Sequence, residues 1–388
     1  MPRQTPRSVK RTPSSGPKRK AKIALVLGGG GLKGFAHIGV FRALDEMGIE
    51  PTVVAGTSIG ALIGAAYARG MSIAEMADRA RALKRRDLFR LNRMGMLLLE
   101  RQHSPAIYLE QPLRDVVRAV STEKRFDQLK TTLLVNTVDI ERGSQVVWGL
   151  PGLRDISVAD AVYASCALPG FYPPGVIRDR RFVDGGVIDN LPVSVASRGM
   201  DAVIAVDTGS TDLEPEDDIA TAGFASIYMR AATTMMHALQ LAPFHNWTRP
   251  PMILIRPKVT HIGWFSFSHT DELLEAGYQA AMDACSHYEE CIAWGIGVFP
   301  RRPMQITVDR QKCIGCTLCT ALAPDVMAMD ASQKAYPLTP VVEWSPADGD
   351  FVHHCPTLAI EATRLDVTGD HAANTTVDPT SEPTTKTG

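Results

Sequence analysis

A serine between two glycines, Gly56-Thr57-Ser58-Ile59-Gly60, stands where a stretch that reads as a strand (Pro51 to Ala55) passes into one that reads as a helix (Ile59 to Ala68, stopping at Gly70). A turn this tight pushes the serine hydroxyl out at the top of a sheet, and the flanking glycines relieve the crowding that a Cβ would cause. Ser58 is therefore a candidate nucleophile. The plainer reading of the same residues is a strand-to-helix turn with Ser58 as its N-cap. Upstream, the apolar run Ile23 to Leu27 ends in Gly28-Gly29-Gly30-Gly31-Leu32-Lys33-Gly34, and helical periodicity follows from Phe35 to Met47. A G-x-G-x-x-G can be read at Gly29, Gly31 and Gly34. The acidic residue expected at the end of the second strand of a dinucleotide fold is missing, however, and Lys33 lacks the following Ser or Thr of a phosphate loop. Gly29 to Gly34 instead offer a row of backbone N–H groups at a helix N-terminus, open to close approach by an anion, as an oxyanion hole requires. Further on, Phe182-Val183-Asp184-Gly185-Gly186 ends a strand with an aspartate that two glycines leave accessible. Taken alone, Asp184 reads as a turn aspartate.

Sulfur supplies a second chemistry. Of seven cysteines, three recur at intervals of three in Cys313-Ile314-Gly315-Cys316-Thr317-Leu318-Cys319, and Cys355 precedes Pro356 much later. Four thiolates can hold an iron–sulfur cluster or a zinc ion, although zinc sites usually pair two C-x-x-C knuckles. Cys166, Cys285 and Cys291 read as buried thiols in a reducing compartment, and a disulfide framework is disfavoured.

The elements that must position these groups alternate. Strands are expected at Thr132 to Val138, Gln145 to Trp148, Ala202 to Val206 and Met252 to Ile255. Helices are expected over Met71 to Arg86, Val158 to Ala164, Ala222 to Leu241 with a Met-rich side, and Asp271 to Trp294 as one long helix. Leu88 to Tyr108 reads as irregular, and its Met94, Met96, Leu97, Leu98 and Leu99 either face the interior or cover a lipid-sized pocket. His37, inside the first helix, reads as a packed, hydrogen-bonded histidine. This alternation favours an α/β layered fold with a mainly parallel sheet. Near Pro300 the character of the chain changes, which marks a domain boundary.

With 388 residues, 45% hydrophobic content and a net charge of −1, the chain has material for a large core and no basic footprint for nucleic acid on its main body. Residues 1–22 differ. Arg3, Arg7, Lys10, Arg11, Lys18, Arg19, Lys20 and Lys22 stand among Pro, Ser and Thr with no acid, which reads as a disordered basic arm. It is a solvated tail, an electrostatic anchor to anionic lipid or a transit peptide, and its prolines argue against the last. Residues 367–388, rich in Thr, Asp and Pro, read as a disordered tail. With no long apolar stretch, the expectation is a soluble, cytoplasmic protein whose membrane contact, if any, is peripheral.

The glycine loop, Gly56-Thr57-Ser58-Ile59-Gly60 and Asp184-Gly185-Gly186, in this order and spacing, resemble the patatin-like phospholipase family. Ala36-His37-Ile38-Gly39-Val40, the stretch Ala164 to Pro174 and Asn190-Leu191-Pro192 add to the resemblance, which covers about residues 21–298. It implies a three-layer α/β/α fold with a mainly parallel sheet. It also implies a Ser-Asp dyad, with Ser58 as nucleophile, Asp184 as base and the Gly29 to Gly34 backbone as oxyanion hole, acting on lipid or phospholipid carboxyl esters through an acyl-enzyme. Residues 303–366 resemble a bacterial-type ferredoxin domain. That implies a small α+β domain with one [4Fe–4S] cluster on Cys313, Cys316, Cys319 and Cys355. Ala323-Pro324 stands where two-cluster relatives carry a Cys-Pro, so a second cluster is not expected. The fused domain would regulate, dock a redox partner or stabilise. A rival reading makes the chain a redox sensor or electron carrier whose α/β part binds lipid or a partner without turnover, and the intact Ser58 and Asp184 argue against it.

Overall fold

Ile23–Leu27 forms β1, five apolar residues buried on both faces, as the uninterrupted run requires. Its side chains alternate: Ile23, Leu25 and Leu27 enter one apolar core, while Ala24 and Val26 enter another on the opposite face of the sheet. The computed structural model describes residues 20–92, 106–209, 247–345, 347–348 and 350–365, with isolated positions between 223 and 244. Two compact units emerge, Met1–Arg301 with Ser345–Asp348, and Arg302–Trp344 with Gly349–Gly388.

In the first unit, β1 is followed by α1 (Ala36–Glu46), β2 (Val53–Thr57), α2 (Ile59–Ala68), α3 (Ile73–Ala82), α4 (Arg85–Leu88) and α5 (Glu110–Val120). Then come β3 (Thr132–Asp139), β4 (Ser144–Trp148), α6 (Val158–Cys166), β5 (Gly175–Ile177), β6 (Arg180–Asp184) and α7 (Val193–Ala196). Strands β7 (Ala202–Val206) and β8 (Met252–Ile255), helices α8 (Thr270–Ala284) and α9 (Tyr288–Trp294), and strand β9 (Val298–Phe299) complete it. The nine-stranded sheet runs β5-β6-β3-β2-β1-β7-β8-β9, with β4 also on β3. It is parallel from β3 to β9, whereas β4, β5 and β6 join antiparallel. Residues of α1, α2, α3, α5, α6 and α8 fill one core and those of α7 the other, which gives three layers. Helices α1 and α8 touch backbone to backbone. A Cβ on Gly39 would lie 1.8 Å from the Leu274 carbonyl oxygen, and one on Gly277 would lie 1.9 Å from that of Ala36.

Two expected helices are broken. Met71 to Arg86 becomes α3 and α4: the Ser72 hydroxyl caps α3 by accepting from Glu75 N–H at 3.1 Å, and Asp87 starts α4 by accepting from Lys84 N–H at 2.8 Å. Asp271 to Trp294 becomes α8 and α9: the backbone turns at Cys285 to His287, where the Ser286 hydroxyl donates to the Asp283 carbonyl at 2.8 Å. The apolar group Met94 to Leu99, most of the helix expected at Ala222 to Leu241, the basic arm except Lys20, Ala21 and Lys22, and the C-terminal tail lie outside the described residues. Among the described residues no helix is long and apolar enough to cross a membrane.

The second unit is a small α+β body. Strand β10 (Arg302–Val308) lies antiparallel between β13 (Val341–Trp344) and β14 (Ile360–Arg364). Strands β11 (Met327–Met329) and β12 (Ala335–Pro337) form a ladder, and α10 (Leu318–Leu322) and α11 (Asp350–His353) complete the unit. Ile306, Met327, Phe351 and Ile360 share its core with Cys313 and Cys319.

Candidate active site

One strand brings the serine and the aspartate together. Because β4 holds one edge of β3 from Val135 to Asp139, β2 and β6 must share the other. Parallel β2 ends with Thr57 opposite Asn136, and antiparallel β6 ends with Asp184 opposite Thr137, so the two chain ends arrive at neighbouring positions from opposite directions. The Ser58 side chain there faces the Asp184 carboxylate and favours its ionised form.

Ser58 has φ 55° and ψ −125°, a conformation that side-chain-bearing residues rarely adopt. Its N–H donates to Ser165 Oγ at 2.9 Å, and that hydroxyl donates to the Asn136 carbonyl at 2.7 Å, which locks the turn onto β3. A Cβ on Gly60 would stand 2.2 Å from the Leu27 carbonyl oxygen, which explains the second glycine of the motif. Ser58 occupies the N-cap position of α2 but makes no capping hydrogen bond with its side chain, so the plain N-cap reading falls away.

Asp184 is 4% exposed. Burial pushes its carboxyl up to about 6, against Ser58 and the Gly186 N–H, which favour the ionised form. The Gly186 bond, 2.9 Å to Oδ1, also makes Asp184 the cap of the turn Gly185–Val187. It is thus a turn aspartate that also lines the cavity with Ser58.

The glycine loop is narrower as a donor array than its sequence suggests. Gly28 N–H donates to the Val206 carbonyl at 2.9 Å, Gly29 N–H to Asn190 Oδ1 at 3.1 Å, and Leu32 N–H to the Trp264 carbonyl at 2.8 Å. Among the described residues, the Gly30 and Gly31 N–H groups have no partner. Lys33 reaches instead for the Thr260 carbonyl, 3.4 Å from its Nζ, and Gly34 is the close-packing point against the Ile59 side chain. Asn190 also donates from Nδ2 to the Gly29 carbonyl at 3.2 Å and so clamps the loop from both sides. His37 donates from Nε2 to the Gly28 carbonyl at 2.8 Å, and burial pulls its pKa down to about 4, so the ring is neutral and braces the loop from below. Asn190 and Ser165 are positioning residues to which sequence reasoning gave no role, although Asn190-Leu191-Pro192 and the stretch Ala164 to Pro174 both carry the resemblance.

A cavity of about 770 Å³ opens on Ser58, Asp184, Asn190 and Gly30, and its other walls are largely apolar. Leu62 and Ile63 of α2, Met76 of α3 and Val116 of α5 line it together with Phe171 and Phe265. Phe89 packs there against Tyr108 and Phe265, with ring centroids 5.0 and 5.1 Å away.

In the second unit Cys313, Cys316, Cys319 and Cys355 line a single small cavity. Ala335 N–H points at Cys313 Sγ at 3.4 Å and Ala359 N–H at Cys355 Sγ at 3.3 Å. Burial pushes the Cys355 thiol up, but donors from Ala359, Thr357 and Ile360 outweigh it and hold the thiol below its usual range. Among the described residues, no three His, Cys, Asp or Glu side chains stand close enough to grip a single metal ion. A four-iron cluster spaces its thiolates more widely than one ion does, and N–H···S bonds are the support such a cluster uses, so the residues fit an iron–sulfur group.

A mainly parallel three-layer fold with a glycine loop, a G-x-S-x-G turn and a D-G-G turn gathered at one sheet edge defines a patatin-like fold. Residues 25–197 match the patatin-like phospholipase family and residues 306–362 the 4Fe-4S single cluster domain, and the chain thus carries a patatin-like phospholipase domain followed by a 4Fe-4S single cluster domain. It is 28% identical over 296 residues to the lysophospholipase NTE1 of Pyricularia oryzae, covering 67% of this chain and 18% of that protein. An uncharacterized NTE family protein of Mycobacterium tuberculosis is 34% identical over 199 residues, 51% of this chain and 52% of its own length. The chain therefore spans about half or less of these relatives. Among solved structures, VipD from Legionella pneumophila shares 17% identity and covers 69% of this chain and 67% of its own, at a TM-score of 0.38.

Proposed function

We propose that this chain is a serine acyl hydrolase that cleaves carboxyl esters of lipids, lysophospholipids among them, with Ser58 as nucleophile and Asp184 as base. The observation that carries this reading is Ser58, on its strained turn, set beside the buried Asp184 carboxylate where both line one apolar cavity. The match to the patatin-like family and the lysophospholipase relative support it.

Ser58 Oγ attacks the ester carbonyl carbon while its proton passes to Asp184. The carbonyl oxygen takes the electron pair and is held by the Gly30 and Gly31 N–H groups, whose removal singly would cost on the order of 3 kcal/mol of barrier. Collapse expels the alcohol, which leaves with the proton from Asp184. Water repeats the sequence on the acyl-enzyme and regenerates Ser58. Burial makes Asp184 a stronger base than an ordinary carboxylate, which suits a site where, among the described residues, no histidine hydrogen-bonds the serine.

A fluorophosphonate probe tests the assignment. Wild type is labelled and Ser58→Ala and Asp184→Asn are not, whereas equal labelling of all three sinks it. The same reading gives the second unit a [4Fe–4S] cluster on Cys313, Cys316, Cys319 and Cys355, and a working division at about residues 21–298 and 303–366. A bound cluster supplies one-electron chemistry. Ester cleavage moves no electrons, so these thiols serve control, redox-partner docking or stability. A cytoplasmic enzyme meeting its lipid at a membrane surface completes the proposal.

A further inference from the structure

The cavity at Ser58 is walled in part by two helices. On α2 its wall is made by Ser58, Leu62, Ile63 and Ala66, which share one stripe of the helix. On α5 the wall runs through Pro112, Val116 and Val120, again a single stripe. Both stripes follow their helices nearly from end to end. The C-terminal ends of the two helices are fastened by Arg69, which donates to the Ser121 carbonyl at 2.8 Å, and Met71 and Val120 line the cavity at that end. The eight steps from Ser58 to Ala66 advance about 12 Å along the axis at ~1.5 Å each.

We infer that this trough measures the acyl chain of the substrate: the chain lies along α2 from Ser58, and Ala66, Met71 and Val120 set its greatest length. The inference rests on the hydrolase reading above. Leu62, Ile63, Ala66, Pro112, Val116 and Val120 offer a polar head group no partner, so the apolar acid part of the ester lies along them, and the charged residues of the same cavity, Arg79, Arg86, Asp87, Arg90 and Asp115, are left to the polar alcohol part or to solvent. An extended alkyl chain advances ~1.25 Å per carbon, given C–C bonds of about 1.5 Å, so roughly ten carbons lie beside α2. The next carbons meet Met71 and Val120, which places the limit near twelve. Each methylene that enters the trough leaves water, and each that exceeds it gains nothing.

The test is turnover of monomeric 4-nitrophenyl esters of straight-chain acids, from butyrate to stearate, by the full chain. kcat/KM is expected to rise by up to roughly fourfold per methylene and to break near about twelve carbons. Val120→Phe and Ala66→Leu are expected to move the break to shorter acids by about two carbons or more. Val120 is half-buried, so its replacement tolerates the added bulk, and thermal unfolding verifies that each variant is folded. Wild-type turnover with a break that neither folded variant moves overturns the trough and leaves the hydrolase standing. No turnover by wild type at any chain length overturns the hydrolase itself, and the trough with it.

Discussion

Asp184 carries a conflict between stability and chemistry. Burial pushes its carboxyl up to about 6, so the ionised form that can accept the Ser58 proton is also the form the fold disfavours. Activity that depends on this carboxylate falls about tenfold per pH unit below about 6 and is flat above it. A kcat/KM profile on an uncharged ester checks this, and activity that stays level well below that pH speaks against Asp184 as base. The stability effect has the opposite sign. A folded-state pKa above the ordinary carboxylate value means that ionisation penalises the fold, fully above about 6 and not at all well below the unfolded value. Asp184→Asn is therefore expected to raise the melting temperature at neutral pH, by an amount corresponding to at most about 3 kcal/mol, while labelling by fluorophosphonate is lost. Asn190 acts at one remove. Asn190→Ala breaks both bonds to Gly29 and leaves a buried N–H and carbonyl unpaired. The loop then holds Gly30 and Gly31 less firmly, so kcat should drop by roughly tenfold to a hundredfold with KM little changed. Steady-state kinetics separate the two parameters.

Among the elements, the α1–α8 contact is the least forgiving. With the Ala36 and Leu274 carbonyls already against Gly277 and Gly39, Gly277→Ala forces the helices apart and should cost more than about 2 kcal/mol, measured by urea unfolding. Neither glycine announced this, because a mid-helix glycine in a sequence does not say which backbone will cross it. Other features were legible for reasons that can be named. Ile23 to Leu27 was readable because a strand buried on both faces tolerates only apolar residues. Ser58 stood out because glycine on each side is a requirement of the turn. The break inside Asp271 to Trp294 was hidden, since no glycine or proline marks Cys285 to His287 and helical periodicity continues on both sides. Of the glycine loop, sequence offered a run of donors, but it could not tell which carbonyls and which Asn190 oxygen would claim Gly28, Gly29 and Leu32.

Taken whole, the chain joins two bodies of very different self-sufficiency. The first has an extensive core on each face of its sheet. The second buries only a few large side chains around Cys313 and Cys319, too little apolar surface to hold so small a body firmly without a cross-link. Protein purified without oxygen should contain iron and acid-labile sulfide, and Cys319→Ser should lose most of both. Stripping the iron with a chelator should abolish hydrogen-exchange protection in β10 and β14. Protection unchanged by chelation would show that these strands hold without a cluster. Both resemblances carried by short motifs, one to the patatin-like family and one to the single-cluster ferredoxin type, match at the domain level. The motifs were specific because each fixes backbone shape as well as chemistry.

The shared edge of β3 has a consequence for the making of the protein. Ser58 leaves the ribosome with β2, but Asp184 follows only after β3, β4, α6 and β5 have been synthesised. Parallel pairing of β2 on β3 can form first, and the antiparallel strand that brings the carboxylate docks afterwards beside it. Until then the serine lacks the carboxylate proposed as its base. An emerging chain, its apolar trough already exposed to any lipid nearby, is thus chemically silent, and the proposed hydrolase switches on only when β6 closes the edge.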